Sequence, residues 1–358
     1  MKIIDKYILK RYFATFLVML FMFIPIGIVI DVSEKINKIL MNKVPTNEVI
    51  VHYGNFIIYW SNILFPIFLF LSVIWFTSKL ANNSEIIAIL SSGISFSRFL
   101  RPYMIGAAII SLFAMLMGFF IVPKASKEFN EFWYKYLKTN VEIRESSNVF
   151  RQIEPNTYLY VSGFNSQTKT AFNFQLETFK DQKMVSKITA TRLRYNEKTS
   201  NFTMFDYKKR TVGKDNDRLE YAEKKDTVFT FDLDDLTPVI YIAETLPIDK
   251  LRKFIAKEEL RGNAFVNVYK VQYYKKFSLP IAAFVLTIIA VSVSSIKRRG
   301  GMGVNLAIGI LVGFSYVFFD KVFTTLAEKS SVNPLLAVWF PNIFFGLIAI
   351  YLLRNAKR

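Results

Sequence analysis

Asp232, Asp234 and Asp235 place three carboxylates within four residues, a spacing that could hold a divalent cation through oxygen ligands. No complete calcium-loop pattern surrounds them, so an acidic turn at a strand end accounts for them more simply. Gly213-Lys214-Asp215 sets a lysine after a glycine. It lacks the upstream glycine spacing and the following Ser or Thr of a phosphate-binding loop. No HExxH, GxSxG or dinucleotide-type glycine pattern occurs. One histidine, His52, argues against a histidine-based metal centre or triad, and the absence of cysteine removes thiolate chemistry and disulfides. An enzymatic reading therefore finds no nucleophile, base or metal group to build on.

The bulk of the sequence points elsewhere. Of 358 residues, 52% are hydrophobic and 36 are phenylalanine, while only 21% are charged. Mean hydropathy is +0.28. Such apolar weight goes into an unusually large core or into lipid, and it excludes a disordered chain. Six runs approach the roughly 20 residues that cross about 30 Å of hydrocarbon. They are Phe13–Ile30, Phe56–Phe76, Pro102–Val122, Phe277–Ile296, Val304 to about Phe319, and Pro334–Leu353. The first follows Lys2, Lys6, Lys10 and Arg11, as a secretory leader would. It has a full bilayer length and no small-residue cleavage pattern after it, so it reads as a retained helix ending before Asp31, with Lys35 and Lys38 just beyond.

Charge placement orients these spans. The N-terminus, the turn holding Lys79, Arg98 and Arg101, the turn holding Lys297, Arg298 and Arg299, and the tail carry thirteen basic residues against Asp5 and Glu85. The opposite short segments are nearly balanced. The positive-inside bias predicts both termini in the cytoplasm. Much of the net charge of +18 is then a topology feature, and nucleic acid is not expected as a partner.

Residues 123–271 form the one long hydrophilic stretch, with 26 Lys/Arg and 21 Asp/Glu, and topology places it outside the cytoplasm. Lys124–Asn140 continues helically. Alternating runs follow at Tyr158–Ser162, Phe172–Glu177, Lys187–Tyr195, Asn201–Phe205 and Thr227–Phe231, each predicting a strand with one buried face. Gly163-Phe-Asn-Ser and Asn196-Glu-Lys-Thr read as turns, and Pro247–Arg261 returns to helical spacing. Strands without intervening helices suggest a sandwich, jelly roll or barrel. The predicted organisation is a first membrane triplet over 1–122, a segment over 123–271 with a β core of about 141–246, and a second triplet over 272–358. This β domain fits either a compact spacer or a receiver of an acyl chain or a second β domain through an exposed edge.

Between the second and third spans, Asn83-Ser-Glu-Ile-Ile-Ala-Ile-Leu-Ser-Ser-Gly-Ile-Ser opens with capping residues and halts near Gly93. It predicts a short amphipathic helix over about 83–95 that lies on the membrane surface or docks on a separate motor protein. Glu85, Ile86, Ile89 and Gly93 are the candidate coupling residues. Glu85 is the one acid in a basic turn, and the helix dipole favours a charge there even without a partner.

In this order the chain resembles the LptF/LptG family of lipopolysaccharide-export ABC transporter permeases, also called YjgP/YjgQ. The likeness rests on Asp5-Lys-Tyr-Ile-Leu-Lys-Arg-Tyr, Ser84-Glu-Ile-Ile-Ala-Ile-Leu-Ser-Ser-Gly-Ile-Ser, Pro102, Lys276-Phe-Ser-Leu-Pro and Lys297-Arg-Arg-Gly-Gly. It implies an α-helical polytopic protein of a bacterial inner membrane, with six transmembrane helices and an inserted periplasmic β-jellyroll-like domain. It also implies a paralogous permease, a cytoplasmic LptB-type ATPase dimer that uses ATP and Mg, an LptC-type anchored protein and an LptA-type periplasmic bridge. The chain itself would bind no cofactor and hydrolyse nothing. Glu85 matches the family's coupling glutamate and Gly93 the glycine closing that helix, while Arg298, Arg299, Gly300 and Gly301 match its basic-glycine turn. Helices one and five would form a lateral gate for lipopolysaccharide, with Lys35, Lys38 and Lys321 as candidate phosphate contacts. Asp31, at the end of the first apolar run, departs from the positive charge usual there. Length and a compact β domain incline towards the G-like partner. The competing readings are a permease for another lipid or lipoprotein, and a lipid-binding membrane scaffold.

Overall fold

The computed structural model describes residues 2–137, 147–165, 168–196, 199, 201–213, 216–231, 241–263, 265–296 and 301–356. Lys214, Asp215, Asp232, Asp234 and Asp235 lie outside these, as do Arg298, Arg299 and Gly300. The chain divides into two compact units. One comprises Met1–Leu137, Glu244–Ile248 and Asn267–Arg358; the other comprises Lys138–Ala243 and Asp249–Val266.

The first unit is helical. It contains α1 (Ile3–Met41), α2 (Thr46–Asn82), α3 (Glu85–Ser91), α4 (Phe96–Leu116) and α5 (Val122–Phe132). After the sheet strands come α6 (Ile242–Thr245) and α7 (Ile248–Leu260), α7 belonging from Asp249 onward to the second unit. They are followed by α8 (Val266–Ser294), α9 (Gly301–Lys329) and α10 (Pro334–Asn355). The π-helical stretch Met117–Ile121 joins α4 to α5 and a second, Trp133–Leu137, extends α5, giving one continuous helix from Phe96 to Leu137. Among the described residues, six helices are long and apolar enough to cross a membrane. The protein is a multi-pass membrane protein with a sheet domain inserted between its two helical triplets.

The apolar runs mark the spans but not the helix ends. With 39 residues, α1 reaches about 58 Å at 1.5 Å per residue, nearly twice the hydrocarbon thickness. Lys35 and Lys38 are therefore inside α1 rather than beyond it. No Gly or Pro interrupts Asp31–Met41, and the helix stops only where Lys43 turns to φ 48° ahead of Pro45.

The helix α8 sits at the centre of the bundle, with 67% of its apolar window buried. Ala282, Ala283 and Ala290 are fully enclosed, and small side chains allow this close approach. Polar contacts fix its neighbours. Ser111 Oγ of α4 donates to Pro280 O at 3.0 Å, and Asn342 Nδ2 of α10 donates to Ser278 Oγ at 2.7 Å. Tyr12 Oη lies 3.3 Å from Thr287 Oγ1. Where α1 crosses α4, a Cβ on Gly106 would come within 2.6 Å of the Tyr12 ring, so glycine is required there.

In the second unit, the described residues form six strands in one antiparallel sheet, in the order β1-β2-β3-β4-β5-β6. They are β1 (Ser147–Glu154), β2 (Thr157–Asn165), β3 (Thr170–Lys180), β4 (Lys183–Asn196), β5 (Asn201–Thr211) and β6 (Arg218–Thr227). The register aligns Leu159 with Leu176, Phe174 with Ala190 and Leu193 with Met204. Val149, Leu159, Phe174, Leu193, Phe202 and Met204 belong to its apolar core. Two expectations change. Gly163 is not a turn residue but lies within β2, opposite Ser147 and Phe172. Thr227–Phe231 is no strand beyond Thr227. Phe229 and Phe231 instead fold in as a stacked pair, centroids 4.7 Å apart, with Phe231 5.4 Å from Phe202.

Candidate functional site

The helix α3 begins without a side-chain cap from Ser84, whose backbone is left-handed at φ 61°. Asn83 takes a different part, its Nδ2 donating to Glu85 Oε1 at 3.1 Å. The second carboxylate oxygen accepts from Tyr7 Oη of α1 at 3.2 Å. The helix closes at Gly93, whose φ of 87° suits a residue without Cβ. The two candidate isoleucines are not equivalent. Ile86 is 1% exposed and belongs to the helical core, and Ile89 packs against that core. Ile87, outside the predicted coupling set, is 51% exposed.

Beside α3, Asp5 and Arg98 form a two-pronged ion pair. Arg98 Nη1 donates to Asp5 Oδ1 at 2.8 Å and Nη2 to Oδ2 at 2.7 Å. Arg98, counted in the sequence only as a basic residue of the turn, thus ties the start of α4 to the start of α1. Ser95 caps α4 by accepting from Arg98 N at 3.3 Å. Of the basic-glycine turn, only Gly301 is described, as the first residue of α9.

The three candidate lipid-contact lysines do not form one group. Lys35 pairs with Asp31 one turn earlier, and its Nζ lies 3.8 Å from the Trp133 ring centroid. Tyr53 Oη donates to the same aspartate at 3.2 Å. Asp31 therefore anchors α1 to α2 as well as neutralising Lys35. Lys38 Nζ donates to Leu137 O at 3.3 Å, and Asn42 Nδ2 donates to Tyr136 O at 2.6 Å. Both supply donors to carbonyls of the second π-helical stretch. Lys321 on α9 is exposed and makes no ion pair or side-chain hydrogen bond among the described residues.

A further polar cluster, which the sequence did not single out, lies among α2, α6, α8 and α9. Tyr59 Oη donates to Glu244 Oε2 at 3.2 Å, and Lys275 pairs with Asp320 at 3.0 Å. Lys276 Nζ donates to Gly118 O at 2.8 Å, in the first π-helical stretch, where the widened turn frees a carbonyl. Burial pushes the Glu244 carboxyl above its usual range, against the lowering effect of the Tyr59 hydrogen bond. His52 is stacked on Phe132 and Phe129, with centroids at 4.0 and 5.0 Å, and neither ring nitrogen meets a partner among the described residues. A cavity of about 290 Å³ adjoins it, but its three carboxylates are engaged, Glu48 by Lys135, Glu128 by Asn55 and Glu131 by Lys127. Among the described residues no group of three or more His, Cys, Asp or Glu side chains is placed to hold a metal ion.

Two helical triplets flank an inserted sheet in the chain, with a short glycine-closed helix between the second and third spans. The family model described as lipopolysaccharide export system permease LptF/LptG matches residues 6–355. The chain belongs to the LptF/LptG family. Among curated relatives, the lipopolysaccharide export system permease protein LptG of Escherichia coli strain K12 is 18% identical over 359 residues, covering 99% of this chain and 98% of the relative. LptG of Haemophilus influenzae strain KW20/Rd is 21% identical over 365 residues, covering 99% of each. LptF/LptG membership and the helical architecture together describe a transporter-type membrane subunit.

Proposed function

We propose that this chain is a permease subunit of an ABC transporter that extracts lipopolysaccharide from the inner membrane and passes it towards the outer membrane. The observation that carries this reading is the family match over residues 6–355, which spans both helical triplets and the sheet domain. The relatives named LptG favour the G-type position in a pair of unlike permeases. In this reading both termini and α3 face the cytoplasm, in line with the basic residues there, and the sheet lies in the periplasm. ATP is hydrolysed by a separate LptB-type dimer. That dimer contacts α3 through Glu85, Gly93 and the exposed Ile87, while Ile86 and Ile89 hold α3 on the bundle. The Arg298-Arg299-Gly300-Gly301 segment, between the fourth and fifth spans in sequence, is cytoplasmic in this reading. An LptC-type protein and an LptA-type bridge receive the lipid beyond the membrane.

The substrate is a large amphiphilic anion that leaves the outer leaflet sideways. The apolar span of α1 is only 11% buried, and α9 presents Leu311, Phe314 and Phe318 outward, so these helices offer acyl chains a wall. Lys321 is the best placed of the three lysines to meet a phosphate. The test is the whole complex in proteoliposomes containing lipopolysaccharide, with ATP-dependent transfer to an acceptor protein measured by photocrosslinking. Transfer that requires both this chain and the ATPase supports the proposal. Full transfer without an ATPase subunit, or crosslinks to bulk phospholipid alone, overturns it.

A further inference from the structure

The span of α1 is mostly uncovered, yet both ends of the helix are tied down. Between them Leu17, Val18, Phe21, Met22, Ile26 and Val29 are exposed. At the C-terminal end the ties are Asp31 to Tyr53, Lys38 to Leu137 O and Asn42 to Tyr136 O. At the N-terminal end two ties lead to separate elements. Asp5 holds Arg98 of α4 through two hydrogen bonds, and Lys2 N adds a third to the same carboxylate at 2.9 Å. Tyr7, two residues on, reaches Glu85 of α3. One turn further, Ile8 and Tyr12 are fully buried, with Tyr12 against Gly106 and 6.1 Å from Tyr103. The first three turns of α1 are thus fastened to α3 by a hydrogen bond and to α4 by a paired ion bridge and aromatic packing.

Along its span α1 packs by one face only, through Phe16, Met19 and the stacked Phe23–Phe68 pair, so its tied ends supply the polar contacts that can move it as a lever. The planar guanidinium of Arg98 meeting the Asp5 carboxylate at both oxygens fixes orientation as well as distance, which a single-point contact does not. We propose that Asp5, Arg98 and Tyr7 are positioning residues that make the start of α1 part of the coupling element. A displacement of α3 by the motor is then delivered to α1 directly, as well as through the bundle. This inference rests on the proposed function, since it takes α3 as the element the ATPase moves.

The chain has no cysteine, so spin labels can be placed by two substitutions alone. With labels at Lys6→Cys and Ser92→Cys in the assembled complex in nanodiscs, one narrow distance distribution is expected, unchanged between nucleotide-free and ATP-bound states. In Asp5→Asn the distribution should broaden and become nucleotide-dependent. ATP hydrolysis should persist, while lipopolysaccharide released per ATP falls severalfold. The exchanged pair Asp5→Arg with Arg98→Asp should recover much of that ratio, which a purely structural role would not move. Tyr7→Phe, a milder change, should lower the ratio less and serves if Asp5→Asn fails to assemble. A wild-type distance that shifts with nucleotide overturns the proposal. So does an unchanged ratio in both Asp5→Asn and Tyr7→Phe. If the wild-type complex hydrolyses ATP but releases a different lipid, the transport reading falls while the distance measurement still decides the clamp.

Discussion

Glu85 accepts a hydrogen bond from Tyr7 Oη at 3.2 Å, across 78 residues of sequence. Its other oxygen is held by Asn83. The carboxylate is therefore oriented before any partner arrives, by one residue of its own turn and one from the first helix.

Glu85→Ala should weaken assembly with the ATPase or reduce lipid transfer while leaving membrane insertion intact. A solvent-exposed ion pair at that position would be worth about 0–1 kcal/mol, whereas a desolvated one costs roughly 2–5 kcal/mol when its partner is left unpaired. Co-purification yield and transfer rate measure the difference. Wild-type values for both would reduce Glu85 to local stabilisation of the helix start.

The lysines should separate in their responses. Lys321→Glu breaks no ion pair of the described residues, so its expected effect is on lipid crosslinking, with the thermal midpoint unchanged. Lys35→Glu places a second anion beside Asp31 and removes the charge over Trp133, so it should lower the thermal midpoint. Lys38→Glu should loosen the second π-helical stretch by removing the donor to Leu137 O. Photocrosslinking and thermal unfolding of the same three variants check this. A drop in crosslinking for Lys35→Glu at unchanged midpoint would instead make Lys35 a direct lipid contact.

The spans were legible because hydrocarbon accepts only long apolar segments, and nothing else in the sequence imitates one. Helix ends were not, because α1 continues for eleven residues past its apolar run on ordinary helix formers. Strand β1 escaped because one of its inward positions holds Arg151, which reads as a surface residue. Strand β6 escaped because Arg218–Thr227 is largely exposed and charged, as an edge strand can be. At the candidate site, Gly93 and the limits of α3 could be read locally. The partners of Glu85 and Arg98 could not, since they depend on how distant helices meet.

Arg151 and Glu258 test the sheet unit. Both side chains are 1% exposed, with Arg151 Nη1 donating to Glu258 Oε2 at 2.5 Å. Arg261 and Asn263 also donate to Glu258. Glu258→Ala removes the carboxylate to which Arg151, Arg261 and Asn263 all donate and should cost roughly 3–5 kcal/mol. Protease resistance of the sheet domain in the intact protein should fall accordingly, while Glu220→Ala on the exposed edge strand should leave it unchanged. Equal resistance in the two variants would show that the buried network does not hold the sheet to α7.

Burial raises the Glu244 carboxyl above its ordinary value, the negative charge of Glu328 adds to this, and Lys275 and the Tyr59 hydroxyl work against it. A carboxyl whose folded-state value is raised binds its proton more tightly when folded than when unfolded. Its favourable contribution is fully present below the ordinary carboxylate range and is lost as pH rises through the raised value. Glu244→Gln keeps an oxygen for Tyr59 to donate to but has no proton to lose. The wild-type midpoint should therefore fall relative to Glu244→Gln as pH is raised from the acid range, and the gap should level off once the wild-type carboxyl is ionised. Thermal unfolding of the two proteins in the same detergent, across that range, measures the gap. Parallel curves would mean that Lys275 and the Tyr59 hydroxyl compensate the buried charge in full.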